Sequence, residues 1–135
     1  MDFHTLTRGF AGYGKMPTVE THDLDHGIEL FNRAEFFDAH EVLEDVWRTA
    51  PAEEKKFLQG MIQVAVALYH YGNGNSIGAR SVLRRGFRNL SRYPEGFGGI
   101  RLATLLHSIS DWQRAMDEGT PVPPLPKIDW ANNQQ

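Results

Sequence analysis

The sequence predicts an all-α fold of about five helices, built as two stacked helical hairpins closed by a C-terminal helix. Three observations predict it. First, one helix-pair pattern is written twice. A shift of about forty residues, the length of one helical-hairpin repeat, brings Ala39 onto Ala79, Val42 onto Val82, Leu43 onto Leu83 and Trp47 onto Phe87. Second, glycine, asparagine and proline recur at helical intervals, at Pro51, Gly72 to Asn75, Pro94 and Gly119. Third, Leu102, Leu105, Leu106, Ile109 and Met116 form one apolar helical face near the end of the chain.

Residues 1–20 read as an irregular N-terminal segment, since Gly9, Gly12, Gly14 and Pro17 interrupt any apolar period. Residues 21–118 read as a single helical domain. Its first helix spans Leu24 to Arg33, with Thr21 or Asp23 as cap. Ala34-Glu35 is a tight turn, and the second helix runs from Phe36 to Thr49. Pro51 opens the third helix, Ala52 to Tyr71, with Glu53 and Glu54 favourable at its positive end. The fourth helix covers Ser76 to Arg92 and stops before Pro94. Gly96, Gly98 and Gly99 read as a flexible joint before the fifth helix, Ile100 to Asp117. Residues 119–135 form a proline-rich, extended tail. Its Trp130 lacks a local apolar partner, so the tail either wraps the domain or serves as a PxxP ligand through Pro121/Pro124 or Pro123/Pro126.

Composition narrows the functions. A net charge of −3 gives no global basic field, which argues against a nucleic-acid partner. The absence of cysteine excludes disulfides, cysteine-ligated zinc and thiol catalysis. With no signal-like run in residues 1–19 and no convincing membrane span, a cytoplasmic protein is expected.

Where the two copies of the repeat differ, polar chemistry enters. At about 100° per residue, Phe36, Ala39, Leu43 and Val46 share the core face of the second helix. His40, Glu44 and Trp47 form a stripe on its flank, and Glu41 points further out. A His and a Glu one turn apart can share a metal ion or a proton. His40-Glu41-x-x-Glu44 differs from the zincin motif HExxH by a glutamate in place of the second ligand histidine, which excludes a zincin. The Glu-x-x-His order of di-iron bundles is absent too. On the third helix, Gln59, Gln63 and His70 form a stripe without formal charge beside Gly60 and Ala67, so this helix is expected to be buried nearly all round. If that stripe faces the second helix, His40, Glu44, Gln63 and His70 make a small polar pocket roofed by Trp47 or Tyr69.

Two readings stand. In one, His40, Glu41, Glu44 and His70 are acid/base candidates, Trp47, Gln59, Gln63 and Tyr69 bind a ligand, and His40, Glu44 and His70 hold a divalent metal. In the other, the polar cluster only fixes helix packing. The protein is then a non-enzymatic interaction module using the basic face of the fourth helix: Arg80, Arg84, Arg85, Arg88 and Arg92. That face is either solvated, with Glu41 and Asp45 of the same chain as ion-pair partners, or a docking strip for an acidic protein or RNA, the last without aromatic–basic interleaving to support it. A homo-oligomer is a separate expectation.

The run from Leu30 to Trp47, followed by Phe57-Leu58-Gln59-Gly60-Met61-Ile62-Gln63 and Ala67-Leu68-Tyr69-His70, resembles domain of unknown function 309. This is a family of small all-helical bacterial and archaeal proteins without an established activity. The resemblance covers Leu24 to Tyr93. It implies that His40, Glu41, Glu44, Trp47, Gln59, Gly60, Gln63 and His70 are signature positions, and that Ala34 stands where the family often has glycine. More distantly, the two turns resemble tetratricopeptide repeats, through Glu35 to Pro51 and Asn75 to Pro94.

Overall fold

A computed structural model describes residues 21–131. Five α-helices follow one another: α1 (Thr21–Asn32), α2 (Phe36–Arg48), α3 (Ala52–Gly72), α4 (Ser76–Leu90) and α5 (Leu102–Glu118). The architecture is all-α, as the periodicity predicts. The irregular segment expected at 1–20 lies outside the described residues, as do 132–135. Helix ends shift by a few residues. Within the described residues α1 is helical from Thr21, and Asp23 lies in its first turn, where a carboxylate complements the helix dipole.

Sequence neighbours pack as spatial neighbours: α1 on α2, α2 on α3, α3 on α4 and α4 on α5. One continuous core results, with Phe31, Leu43, Phe57, Met61, Leu90 and Ile109 at its centre. Each such side chain contributes roughly 1.5–3 kcal/mol on burial. On α2 the buried residues are Phe36, Ala39, Leu43 and Val46, the predicted stripe. On α3 nearly every apolar side chain is buried, together with Glu54, as its lack of charged residues beyond the first turns suggests.

The tightest packing joins α3 to α4. A Cβ added at Gly60 would lie 2.8 Å from Leu90 and 3.2 Å from the Gly86 carbonyl. One added at Gly86 would lie 3.1 Å from the Gly60 carbonyl. Two glycines thus let the backbones meet, and Gln63 bonds Asn89 beside them.

The two hairpin turns close in the same way. After α1, the Ala34 amide donates to Phe31 O and the Glu35 amide to Leu30 O, both at 2.9 Å. After α3, Gly74 donates to Tyr71 O at 3.0 Å and Asn75 to His70 O at 2.9 Å. Both are Schellman caps, in which the residue past the helix takes a left-handed conformation. Gly74 does so at φ 81° and Ala34 at φ 63°. For alanine that geometry is strained by about 1–2 kcal/mol, so glycine would be natural there.

The glycine-rich joint before α5 is an ordered turn. Phe97–Gly99 forms a single 3-10 turn, and the Phe97 ring packs 4.9 Å from Phe57 and 4.5 Å from Tyr93. The Tyr93 hydroxyl accepts from the Phe57 amide and donates to Glu53 O, each at 3.1 Å. These are the two groups an α-helix would join directly. Burial pushes the Tyr93 phenol above its ordinary 10.0.

The proline-rich tail wraps its own domain. Asn32, at the end of α1, reads both polar groups of Ile128: its amide donates to Ile128 O at 2.9 Å and its carbonyl accepts from Ile128 N at 2.7 Å. Lys127 Nζ donates to Asn32 O at 2.8 Å, satisfying a terminal carbonyl of α1. Trp112 Nε1 donates to Pro124 O at 3.0 Å. An antiparallel bridge pairs Trp130 with Ile100. Pro126 is buried, so the Pro123/Pro126 spacing is turned into the domain rather than offered as a PxxP ligand.

Three predictions test this account. Gly60→Ala should lower stability in urea unfolding by about 1–3 kcal/mol, because Leu90 cannot retreat from a filled core; an unchanged midpoint would refute the close contact. Ala34→Gly should raise stability by up to about 1 kcal/mol, the relief of left-handed strain less the entropy that glycine brings to the unfolded chain. For Tyr93, the raised folded value means that its contribution is complete below pH 10.0 and is lost as pH climbs through the higher folded-state value, since the unfolded chain ionises first. Melting temperatures measured from about pH 8 to about pH 11 should therefore fall less in Tyr93→Phe than in the parent.

Candidate functional site

His40 and Glu44 come together as the one-turn spacing requires, with His40 Nε2 3.6 Å from Glu44 Oε2. His40 Nδ1 lies 3.0 Å from Phe37 O. A carbonyl only accepts, so the proton sits on Nδ1 and Nε2 is turned toward Glu44. The 3.6 Å separation exceeds a hydrogen bond. The two side chains are neighbours on one face of α2 rather than a hydrogen-bonded pair. Glu41 is exposed on the outer face of α2.

The ring over this pair belongs to Phe37, a residue that sequence reasoning passed over. Its centroid lies 5.2 Å from His40 and 5.4 Å from Tyr69 of α3. Phe37 is 47% exposed and Tyr69 41%, unusual for large rings on a small domain. A hydrophobic residue directly after a tight turn was the available signal.

Of the α3 stripe expected to face His40 and Glu44, Gln63 has its partner elsewhere. Gln63 faces α4, where its carbonyl accepts from Asn89 Nδ2 at 2.8 Å. Gln59 lies within about 40° of Gln63 on the helical wheel and shares that side, whereas the His70 ring lies 6.3 Å from the ring of Tyr69, which itself packs on Phe37. Gln59 and His70 are half-buried. Tyr69 sits well over 90° from Gln63 on the same wheel, and its ring meets Phe37 of α2. The glycine contact sets this rotation, because Gly60 must face Gly86.

Trp47 is engaged elsewhere too. Lys55 Nζ lies 4.1 Å from its ring centroid and donates to Trp47 O at 2.6 Å and Arg48 O at 3.2 Å. One ammonium group thus caps the C-terminal carbonyls of α2 while it stacks on the indole. Trp47 Nε1 is buried without a hydrogen-bond partner among the described residues. Trp47 therefore joins α2 to α3 rather than roofing His40.

The set His40, Glu44 and His70 is not assembled as a metal site. Among the described residues, no group of three or more His, Cys, Asp or Glu is placed to hold a metal ion. His40 and Glu44 alone leave such an ion with two ligands, too few for the usual protein sites.

Beside Tyr69 opens a feature that linear patterning could not show. A cleft of about 610 Å³ lies between the C-terminal end of α3, Phe36, Trp112 of α5 and the tail at Val122–Leu125. Phe36, Tyr69, Tyr71 and Trp112 supply aromatic walls, with Tyr71 and Trp112 packed edge-on at 5.0 Å. Asn73 contributes an amide at the rim. Tyr69 belongs to this cleft and to the Phe37–His40–Glu44 edge, so the two are continuous.

Together these features define a small all-helical domain with an aromatic cleft and a His–Glu rim. Residues 24–82, from α1 to the middle of α4, match the model of the family described as Domain of unknown function (DUF309). An uncharacterized protein of Aquifex aeolicus (strain VF5) is 30% identical over 92 residues, which is 67% of this chain and 28% of that protein. The uncharacterized protein YpuF of Bacillus subtilis (strain 168) is 35% identical over 68 residues, 50% of this chain and 39% of YpuF. The chain thus spans well under half the length of either relative. No described helix is long and apolar enough to cross a membrane.

Proposed function

We propose that this domain binds a small organic ligand with a flat, apolar body in the cleft beside Tyr69. The carrying observation is the cleft itself. Its volume of about 610 Å³ falls in the usual range for small-molecule sites, and its walls are rings with few polar groups. The aromatic walls favour a planar ligand, through offset and edge-on ring contacts. His40 and Glu44, next to Tyr69 through Phe37, give a polar end of the ligand an acceptor and a ring nitrogen to meet. This reading keeps the His40–Glu44 pair as part of a binding site and assigns no reaction.

Indole, a minimal planar probe, should bind there. In two-dimensional amide NMR its addition should shift residues 68–73 and 122–125 and leave the α4 surface unmoved. Tyr69→Ala should weaken binding by about fivefold or more while changing stability by less than about 1 kcal/mol, because the ring is partly exposed. Shifts confined to another surface, or equal binding by Tyr69→Ala, would remove the cleft from consideration.

A further inference from the structure

Two faces of this domain carry opposite charge that is only partly neutralised within the chain. On α4, Arg80 pairs with Asp117 of α5 at 2.7 Å. Arg84, Arg85, Arg88 and Arg92 are exposed, and among the described residues none has a carboxylate partner. Arg85 reaches only the Ser81 hydroxyl, at 3.2 Å. The partners expected for this strip, Glu41 and Asp45, do not meet it. Asp45 is tied to Arg48 on its own helix, and α3 is the close neighbour of both α2 and α4. On α2, Asp38 and Glu41 are exposed without an ion pair among the described residues, and Glu44 stands beside them.

The two faces share a register. Ile77, the second residue of α4, is 83% exposed, and Phe37 is the second residue of α2. Each face thus begins with an exposed apolar residue and continues with charges about one turn apart, acidic on α2 and basic on α4. The acidic face also borders the exposed rings of Phe37 and Tyr69. Guanidinium groups stack on such rings while pairing with carboxylates, which an ammonium does less well.

We infer that α4 of one copy docks on the α2 edge of a second copy. Arg84 and Arg88 face Asp38, Glu41 and Glu44, with guanidinium planes near Phe37 and Tyr69. The occupant is a second copy because this chain supplies the complement in sign, in spacing and in ring chemistry. The contact joins two different patches, so it closes a two-fold dimer where both patches meet their complements at once and otherwise propagates head to tail into a ring or a chain.

Sedimentation velocity of the full chain tests this. Weight-average mass should rise with concentration at about 0.01 M salt, where the Debye length is about 30 Å, and fall to the monomer value at about 1 M, where it is about 3 Å. The double variant Arg84→Glu/Arg88→Glu should stay monomeric, and so should Asp38→Arg/Glu41→Arg. All four positions are exposed, so both proteins should keep the parent's circular dichroism. Mixed in equal amounts, the two variants should associate again, because each now carries the complement of the other. A parent that stays monomeric at low salt, association that survives either charge reversal, or a mixture that stays monomeric would each overturn the inference. So would a monomeric parent whose α4 strip retains an RNA oligonucleotide, which would assign the strip to a polyanion instead.

Discussion

The approach of α3 to α4 through Gly60 and Gly86 constrains the rest of the molecule. Backbone contact at that crossing leaves α3 one rotation about its axis. Gln63, on the glycine side, is then committed to Asn89 and is satisfied there. A buried amide without that partner would cost about 1–3 kcal/mol, so the pair also opposes sliding along the crossing. With Gln63 committed to α4, α3 meets α2 through apolar side chains, the Tyr69 ring and Lys55. The edge at His40 and Glu44 is therefore aromatic rather than a second set of amides.

A second constraint comes from the tail. The end of α1, the wall of α5 and the turn before α5 are all held by backbone groups of residues 124–131. Asn32 does this as a strand neighbour would, offering one donor and one acceptor to the same residue. Without the strap, Trp112 would lose its hydrogen-bond partner and the cleft one of its walls. Cleft and strap are thus one structure, and a ligand in the cleft would contact the segment that holds the helices together.

Much of the fold was legible because it rests on local rules. The stripe Phe36, Ala39, Leu43, Val46 announces the buried side of α2, and Pro51 and Gly74 mark helix ends for reasons of backbone geometry. The His40–Glu44 pair was equally legible, because one turn of helix brings them together whatever surrounds them. Less legible was which neighbour each side of a helix meets. A helical wheel shows that Gln63 and His70 share a side with Gly60, but not which helix that side meets. Gly60 held the answer only in combination with Gly86, a pairing visible once two helices are in space. Lys55 on Trp47 and the aromatic cleft were hidden for the same reason, since each joins residues from separate elements.

The internal repeat separates scaffold from specialisation more cleanly than either copy alone. Its matched positions have matched environments: Ala39 and Ala79 are buried, as are Leu43 and Leu83, while Val42 and Val82, and Trp47 and Phe87, are half-buried. Those pairs are held by packing, which punishes changes of volume in either copy. The mismatched positions lie toward solvent, where packing imposes little. There Glu44 and Asp45 become Arg84 and Arg85, and the sign of the face reverses. With α2 and α4 both held on α3, the reversed charges do not meet within the molecule: Asp45 pairs with Arg48 on its own helix, and Arg84 and Arg85 have no carboxylate partner among the described residues. Opposite charge on two separated faces costs a single copy little in water, but it biases which surfaces of two copies meet. The Schellman turns repeat the logic in reverse: one hydrogen-bond geometry is kept in both copies even though the first carries Ala34 where Gly74 fits without strain. Backbone geometry is shared between the copies, and surface chemistry is where they have parted.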